Sequence, residues 1–255
     1  MHRFTEEGSV QVLWVSRAED TLKVRDIAKQ YLEGSLDTIE IVEGGSNTPS
    51  VLGVPAAPLA LTLLFFSIVG FLLGMIGRDY IAPFTFWNAV APMFVVDPWR
   101  EIAAGEFWRL FTPAFLHFSL LHIVFNGLWL WYLGSRIELV YGRFRFLFLV
   151  IIIAVVSNTA QAIASAPTLF GGMSGVVFGL LSFVWLSGRY NSHPLLTLQR
   201  GLFPVMVGYM LLSTTGLFDF LAGGGGIGDT SHISGFFTGL LVALLFLKPF
   251  AFKDR

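Results

Sequence analysis

The sequence predicts an all-α polytopic membrane protein, six transmembrane helices in one bundle behind a small N-terminal α+β segment. Three observations predict it. Of 255 residues, 55% are apolar and only 13% are charged, about half the charge of a soluble domain. Mean hydropathy is +0.71. The charge that is present lies mostly between long apolar runs. This composition excludes a disordered chain and an ordinary soluble enzyme. The absence of Cys removes disulfides, thiolate metal sites and a cysteine nucleophile together. A net charge of −1 provides no basic field for nucleic acid, so none is expected as a partner.

Residues 1–50 form a first domain with its linker, and residues 51–255 a second. The first stretch holds nine acids and five bases. VQVLWV (10–15) reads as a strand. The helix that follows, DTLKVRDIAKQYLEG, starts at Asp20 or Thr21 and stops at Gly34, with Val24, Ile27, Ala28, Tyr31 and Leu32 on one face. TIEIV (38–42) alternates like a second strand. The β-α-β module ends in a GGSNTPS linker at 44–50, and its start is too polar for a signal peptide.

Six apolar segments follow, near 57–77, 115–136, 145–165, 172–188, 201–222 and 230–248. Each approaches the roughly 20 residues that a helix needs to span a bilayer. The long connection 78–114 is rich in Trp and Phe and is expected to lie in the membrane interface. With the N-terminus in the cytoplasm, 13 of the 16 Lys and Arg fall inside, leaving Arg78, Arg100 and Arg109 outside. The positive-inside rule therefore puts both termini in the cytoplasm.

Polar side chains inside a bilayer are costly, so each is a candidate functional group. The second segment carries His117, His122 and Asn126; the fourth carries Ser174; the sixth carries His232. His122 precedes Arg136 by 14 residues, Ser174 precedes Arg189 by 15, and His232 precedes Lys248 by 16. At about 1.5 Å per residue, the three share one depth, roughly 21–24 Å above the inner boundary. Asn126 lies one turn below His122 on the same face. Glycines 171, 175 and 179, and glycines 235 and 239, recur every four residues, a pattern that lets helix backbones pack closely in lipid. Such packing brings a hydroxyl beside a neutral imidazole, the minimal activated nucleophile. His122 and Asn126, with the Ser174 main-chain N–H, can supply donors to an oxyanion. Read singly, each residue has a plainer role: a packing serine, a hydrogen-bonding His232, a loop-anchoring His117, a solvated His193. Their shared depth is what singles out the set.

The stretches FWRLFTPAFLHFSLLHIVFNGLWLWYLG (107–134), FGGMSGVVFGL (170–180), LQRG (198–201) and SHISGFFTGL (231–240) resemble the rhomboid intramembrane serine proteases, in particular their six-helix bacterial branch. The resemblance covers roughly residues 57–248. It implies a Ser174–His232 dyad that cleaves transmembrane segments of single-pass membrane proteins, the expected substrates, among membrane lipids and without metal or organic cofactor. It implies an oxyanion hole from His122, Asn126, the Ser174 amide and the Gly172 neighbourhood. Trp108 and Arg109 match a family pair in the first loop, and His117 matches a histidine that supports that loop. Phe178 stands where close relatives often have Tyr over the catalytic histidine. Stacking is kept and a hydroxyl is lost. The implied location is the bacterial inner membrane, with residues 1–50 as a cytoplasmic accessory domain.

Rival readings draw on the same residues. Gly226-Ile227-Gly228-Asp229 spells the GxGD string of aspartyl intramembrane proteases. That chemistry needs a second carboxylate at the same depth, and the nearest acid is Asp219 on the preceding segment. An inactive rhomboid-like protein would bind membrane segments without cutting them. A histidine-based proton transporter would show repeated halves, which the sequence lacks. The glycine-rich LAGGGGIG stretch (221–228) reads as a mobile cap over the pocket or as a plain connector.

Overall fold

The computed structural model describes residues 2–6, 9–13, 26, 29, 30, 33, 57–87, 99–165, 168–191, 193–213 and 229–247. They fall in two units, Met1–Pro49 and Ser50–Arg255. In the first unit, β1 (His2–Glu6) and β2 (Ser9–Leu13) pair antiparallel, with His2 opposite Leu13 and Glu6 opposite Ser9. The strand expected at 10–15 is β2. Its described partner is His2–Glu6, a strand the sequence reading did not anticipate, because Glu7-Gly8 is a weak hairpin signal beside Asn-Gly or Asp-Gly. Of the expected helix at 20–34, Asp26, Lys29 and Gln30 are helical; the rest of it and the strand at 38–42 lie outside the described residues.

In the second unit, each of the six apolar segments contains a helix: α1 (Pro58–Ile76), α2 (Leu120–Tyr141), α3 (Arg143–Ser165), α4 (Ser174–Tyr190), α5 (Leu202–Ser213) and α6 (Asp229–Leu247). Of these, α1 and α3 are long and apolar enough to cross a membrane by themselves. The fifth segment was expected to run to 222, and its residues 214–222 lie outside the described residues.

Two boundaries differ from expectation for local reasons. α2 starts five residues later than expected. Thr112-Pro113 opens a 3₁₀ turn through Phe115, and Ser119 caps the helix by accepting from the His122 N–H at 3.2 Å. His117 therefore lies ahead of the helix. α2 also continues past Arg136 to Tyr141. The Arg136 guanidinium lies 3.9 Å above the Tyr132 ring and donates to the Leu195 carbonyl, so it does not end the helix as a free boundary charge.

Side chains sort as they do where lipid is the solvent. Large apolar groups point outward along the helices, among them Phe65, Met75, Phe125, Ile163 and Val205. Ser67, Ser157, Asn158, Gln161, Ser182 and Ser213 are buried inside. With hydrocarbon on the outside, hydrophobic burial cannot hold the helices together, and close packing with interhelical hydrogen bonds takes over. The contact between α4 and α6 is the most extensive in the unit, with α6 also against α3.

Glycine makes that contact possible. A Cβ on Gly235 would run into the Gly175 carbonyl, and one on Gly239 into the Gly179 carbonyl. The facing positions are close too, though less so: a Cβ on Gly179 would stand 2.8 Å from the Gly235 carbonyl, and one on Gly175 3.1 Å from that of Ser231. Ser182 adds a link, its hydroxyl 2.7 Å from the Phe236 carbonyl and 2.9 Å from that of Gly179. Gly171, expected on the same stripe, precedes α4 and packs instead on Leu116 and the Pro113 carbonyl.

α1 is held at its start by Glu138, whose two carboxylate oxygens accept from the Leu59 and Ala60 N–H groups at 3.0 and 2.9 Å. These amides have no partner within the helix, and a carboxylate there also meets the positive end of the helix dipole.

The described parts of the connection between α1 and α2, 77–87 and 99–119, are short helices and turns pinned by Arg109. Its guanidinium is buried, donates to the Ala82 and Thr85 carbonyls at 2.7 Å each, and pairs with Glu106 at 2.7 Å. Trp108 donates to the Pro83 carbonyl at 2.9 Å and remains partly exposed. Asn158 on α3 donates to the Leu110 carbonyl at 3.0 Å.

Gly239→Ala is expected to lower unfolding stability in detergent by about 2 kcal/mol, because its methyl group meets backbone that cannot yield. Gly208→Ala on α5, where nothing lies within 4 Å, is expected to raise stability by up to about 1 kcal/mol through helix propensity. Thermal or SDS titration of both variants checks the contrast.

Candidate active site

Ser174 owes its position to the three residues before it. Gly172 has φ +121°, a conformation that ends any helical path and favours glycine. Its N–H donates to the Pro113 carbonyl at 3.0 Å. The Met173 N–H donates to His117 Nε2, a long contact of 3.5 Å. Helix α4 can begin only after this bend, at Ser174, two residues later than the apolar run indicated. As the first helical residue, Ser174 has an N–H with no partner in the helix, and no hydrogen bond fills it among the described residues.

The serine hydroxyl lies 2.8 Å from His232 Nε2 on α6. Ser174 is half-buried and His232 is buried. The other imidazole nitrogen, Nδ1, is 3.5 Å from the Ser213 hydroxyl at the end of α5. Phe178, one turn along α4 from Ser174, packs on the His232 ring with centroids 4.9 Å apart at 50°. Phe178 in turn stacks on Tyr209 of α5 at 6.3 Å and 17°. An apolar ring thus supports the imidazole at this position without a hydroxyl.

His122 lies over Gly172. A Cβ on that glycine would stand 2.6 Å from His122 Nε2 and Cε1, so the bare Cα makes room for the ring. Because the Gly172 amide is already engaged by Pro113, the contribution of Gly172 here is space. Asn126 is buried on α2, one turn beyond His122, and donates one Nδ2–H to the His122 carbonyl at 2.9 Å. Its second N–H is uncommitted among the described contacts. His117 is buried beside His122, ring centroids 4.9 Å apart, with Nδ1 3.1 Å from the Phe115 carbonyl. A single neutral tautomer serves both of its contacts: Nδ1–H donates to Phe115, and Nε2 accepts from Met173.

Trp108 and Arg109 are built into the loop and do not reach Ser174. His193 is partly buried and caps the 194–196 turn by accepting from the Leu195 N–H at 3.2 Å. Burial holds its pKa below the ordinary histidine value. Residues 221–228 and Asp219 lie outside the described residues.

Two contacting residues escaped the sequence reading. Ser213 sits in an apolar run and resembles a packing serine. Gln161 on α3 accepts from the Ser231 N–H at 3.0 Å, at the start of α6 just before His232. Position gave a signal for both: Ser213 ends an apolar helix, and Gln161 belongs to a polar cluster with Ser157 and Asn158 in an otherwise apolar one.

Residues 104–249 match the family model described as Rhomboid domain, and residues 1–39 match the one described as Rhomboid N-terminal domain. The chain belongs to the rhomboid family of intramembrane serine proteases. Among its relatives is Rhomboid protease GlpG of Pectobacterium atrosepticum, 35% identical over 94% of this chain and 80% of that protein. Proteins of the same name from Yersinia pestis and Yersinia pseudotuberculosis are 36% identical over 74% of the chain. The match spans 62% of the length of each of those two. The rhomboid assignment agrees with helices whose apolar faces point outward and with the membrane class read from composition.

Gly172→Ala is expected to cost about 2 kcal/mol or more, from positive-φ strain and from the methyl group meeting His122. Adding His122→Ala is expected to recover part of that loss. A double-mutant cycle on thermal midpoints measures the coupling, and strict additivity would remove the contact as its cause.

Proposed function

We propose that this rhomboid protein cleaves transmembrane segments of single-pass membrane proteins, with Ser174 as nucleophile and His232 as its general base. The 2.8 Å contact between Ser174 Oγ and His232 Nε2 carries the reading. Serine attacks the scissile carbonyl carbon as its proton passes to Nε2. Collapse of the tetrahedral intermediate breaks the C–N bond, and the leaving amine takes that proton. Water then attacks the acyl-serine by the same route, releasing the acid and restoring the hydroxyl.

The oxyanion is held by the Ser174 N–H, a His122 ring N–H and the second Asn126 Nδ2–H, in the room left by Gly172. One such donor is worth about 2.7–4 kcal/mol in the transition state. A substrate helix hides its carbonyls in its own hydrogen bonds, so cleavage favours segments that unwind at small or helix-breaking residues. Hydrolysis needs water at Ser174, and polar groups at membrane depth are tolerated where they line a wet cavity or are buried in protein. The charge asymmetry supports both termini in the cytoplasm, and the likeness to bacterial rhomboid proteases supports six spans in a bacterial inner membrane, with residues 1–50 as a cytoplasmic accessory domain and residues 51–255 as the protease domain. Trp108, Arg109 and His117 hold the first loop, and Phe178 restrains the base.

Labelling of the purified protein by a fluorophosphonate, followed by cleavage of a reconstituted transmembrane substrate, tests this. Ser174→Ala is expected to abolish both, and His232→Ala to slow both by roughly 10³-fold or more, with thermal midpoints near wild type. Labelling that persists in Ser174→Ala would refute the assignment. A folded wild-type protein that binds a transmembrane segment and neither labels nor cuts it would point to the binding role instead.

A further inference from the structure

We propose that Ser213 is a positioning residue for the dyad, fixing the tautomer and ring orientation of His232 in the place where soluble serine proteases use an acid. This rests on the assignment of Ser174 and His232 above.

The available protons fix the tautomer. A serine hydroxyl has one proton and two lone pairs. The Ser213 proton is directed at the Met210 carbonyl of its own helix, 2.7 Å away. What Ser213 presents to His232 Nδ1, at 3.5 Å, is therefore a lone pair. Nδ1 must carry the proton, which leaves Nε2 bare toward Ser174 Oγ at 2.8 Å. Only this tautomer can accept the serine proton. The opposite tautomer would make Nε2 a donor to Ser174 Oγ, unable to take its proton, and would set a bare Nδ1 against a Ser213 lone pair, two acceptors facing each other.

Burial sharpens the constraint. Ser213 is wholly buried and His232 nearly so. An unpaired imidazole N–H in such surroundings carries a desolvation penalty. Around His232 the structure places Ser174 and Phe178 from α4 and Ser213 from α5. His122 on α2 is a titratable neighbour, and among the described residues no carboxylate pairs with His232. The Met210 carbonyl orients Ser213, Ser213 orients His232, and His232 activates Ser174. Every member is neutral at rest, so no ionised acid is desolvated to hold the base.

Two nearly isosteric variants separate the hydroxyl from its volume. Ser213→Thr keeps donor and acceptor and is expected to keep kcat within about threefold of wild type. Ser213→Val removes them and is expected to lower kcat by about 10–100-fold, the usual effect of losing a group that orients a histidine, with KM within about twofold. Ser213→Ala, with no added bulk, gives the same reading if valine does not fold.

¹⁵N spectra of histidine-labelled protein, with His232 identified by its loss in His232→Ala, are expected to show Nδ1 protonated and Nε2 bare in wild type. The Val or Ala variant is expected to show mixed tautomers. Equal kcat in the Thr and Val variants, or a wild-type Nε2–H tautomer, would overturn the proposal while Ser174→Ala remained inactive. Activity in Ser174→Ala would instead overturn the dyad itself, so the two failures are distinguishable.

Discussion

Close approach of two helix backbones is the constraint on which the rest depends. Ser174 and His232 have short side chains on separate helices, and a 2.8 Å contact between them leaves no space for ordinary side chains along the seam. Gly175 and Gly179 on one helix, with Gly235 and Gly239 on the other, remove the Cβ atoms that would hold the helices apart. Since lipid gives no hydrophobic reason to associate, the seam relies on contact and on hydrogen bonds such as that from Ser182 to the Phe236 carbonyl. Fold and geometry of the pair share one cause.

The second requirement is a fixed helix start. Gly172 bends the chain into a conformation other residues rarely adopt, Pro113 receives its amide, and His117 holds the next one. The first turn of α4 thereby presents a serine beside its own N–H, which no hydrogen bond fills among the described residues. The same bend makes room for His122. Polar links from outside the seam complete the frame: Gln161 holds the start of α6, and Asn158 ties the loop to α3.

Much of this was legible in the residues. Segments of the right length and apolarity each became a helix, because six long apolar runs leave the chain few other ways to satisfy its backbone. Ser174 and His232 stood out because polar groups at equal depth in apolar helices need a reason to be there. Boundaries were less legible. The Ser119 cap and the Thr112-Pro113 turn moved the start of α2 and took His117 off it, since local hydrogen bonding overrode the apolar run. Ser213 was hidden because its partner lies 19 residues away across a connection whose path the sequence does not specify. β1 was hidden because its turn lacks a strong hairpin dipeptide.

The described groups that meet around Ser174 are uncharged hydroxyls, amides and imidazoles. A transmembrane voltage does work on displaced charge, about 2.3 kcal/mol per elementary charge for each 100 mV. In the proposed reaction one proton passes between an oxygen and a nitrogen 2.8 Å apart, which moves charge through a small fraction of the membrane thickness. An energised membrane and a collapsed one therefore exert nearly the same force on this chemistry, and the reaction is free of the electrical field that drives pumps and channels in the same bilayer.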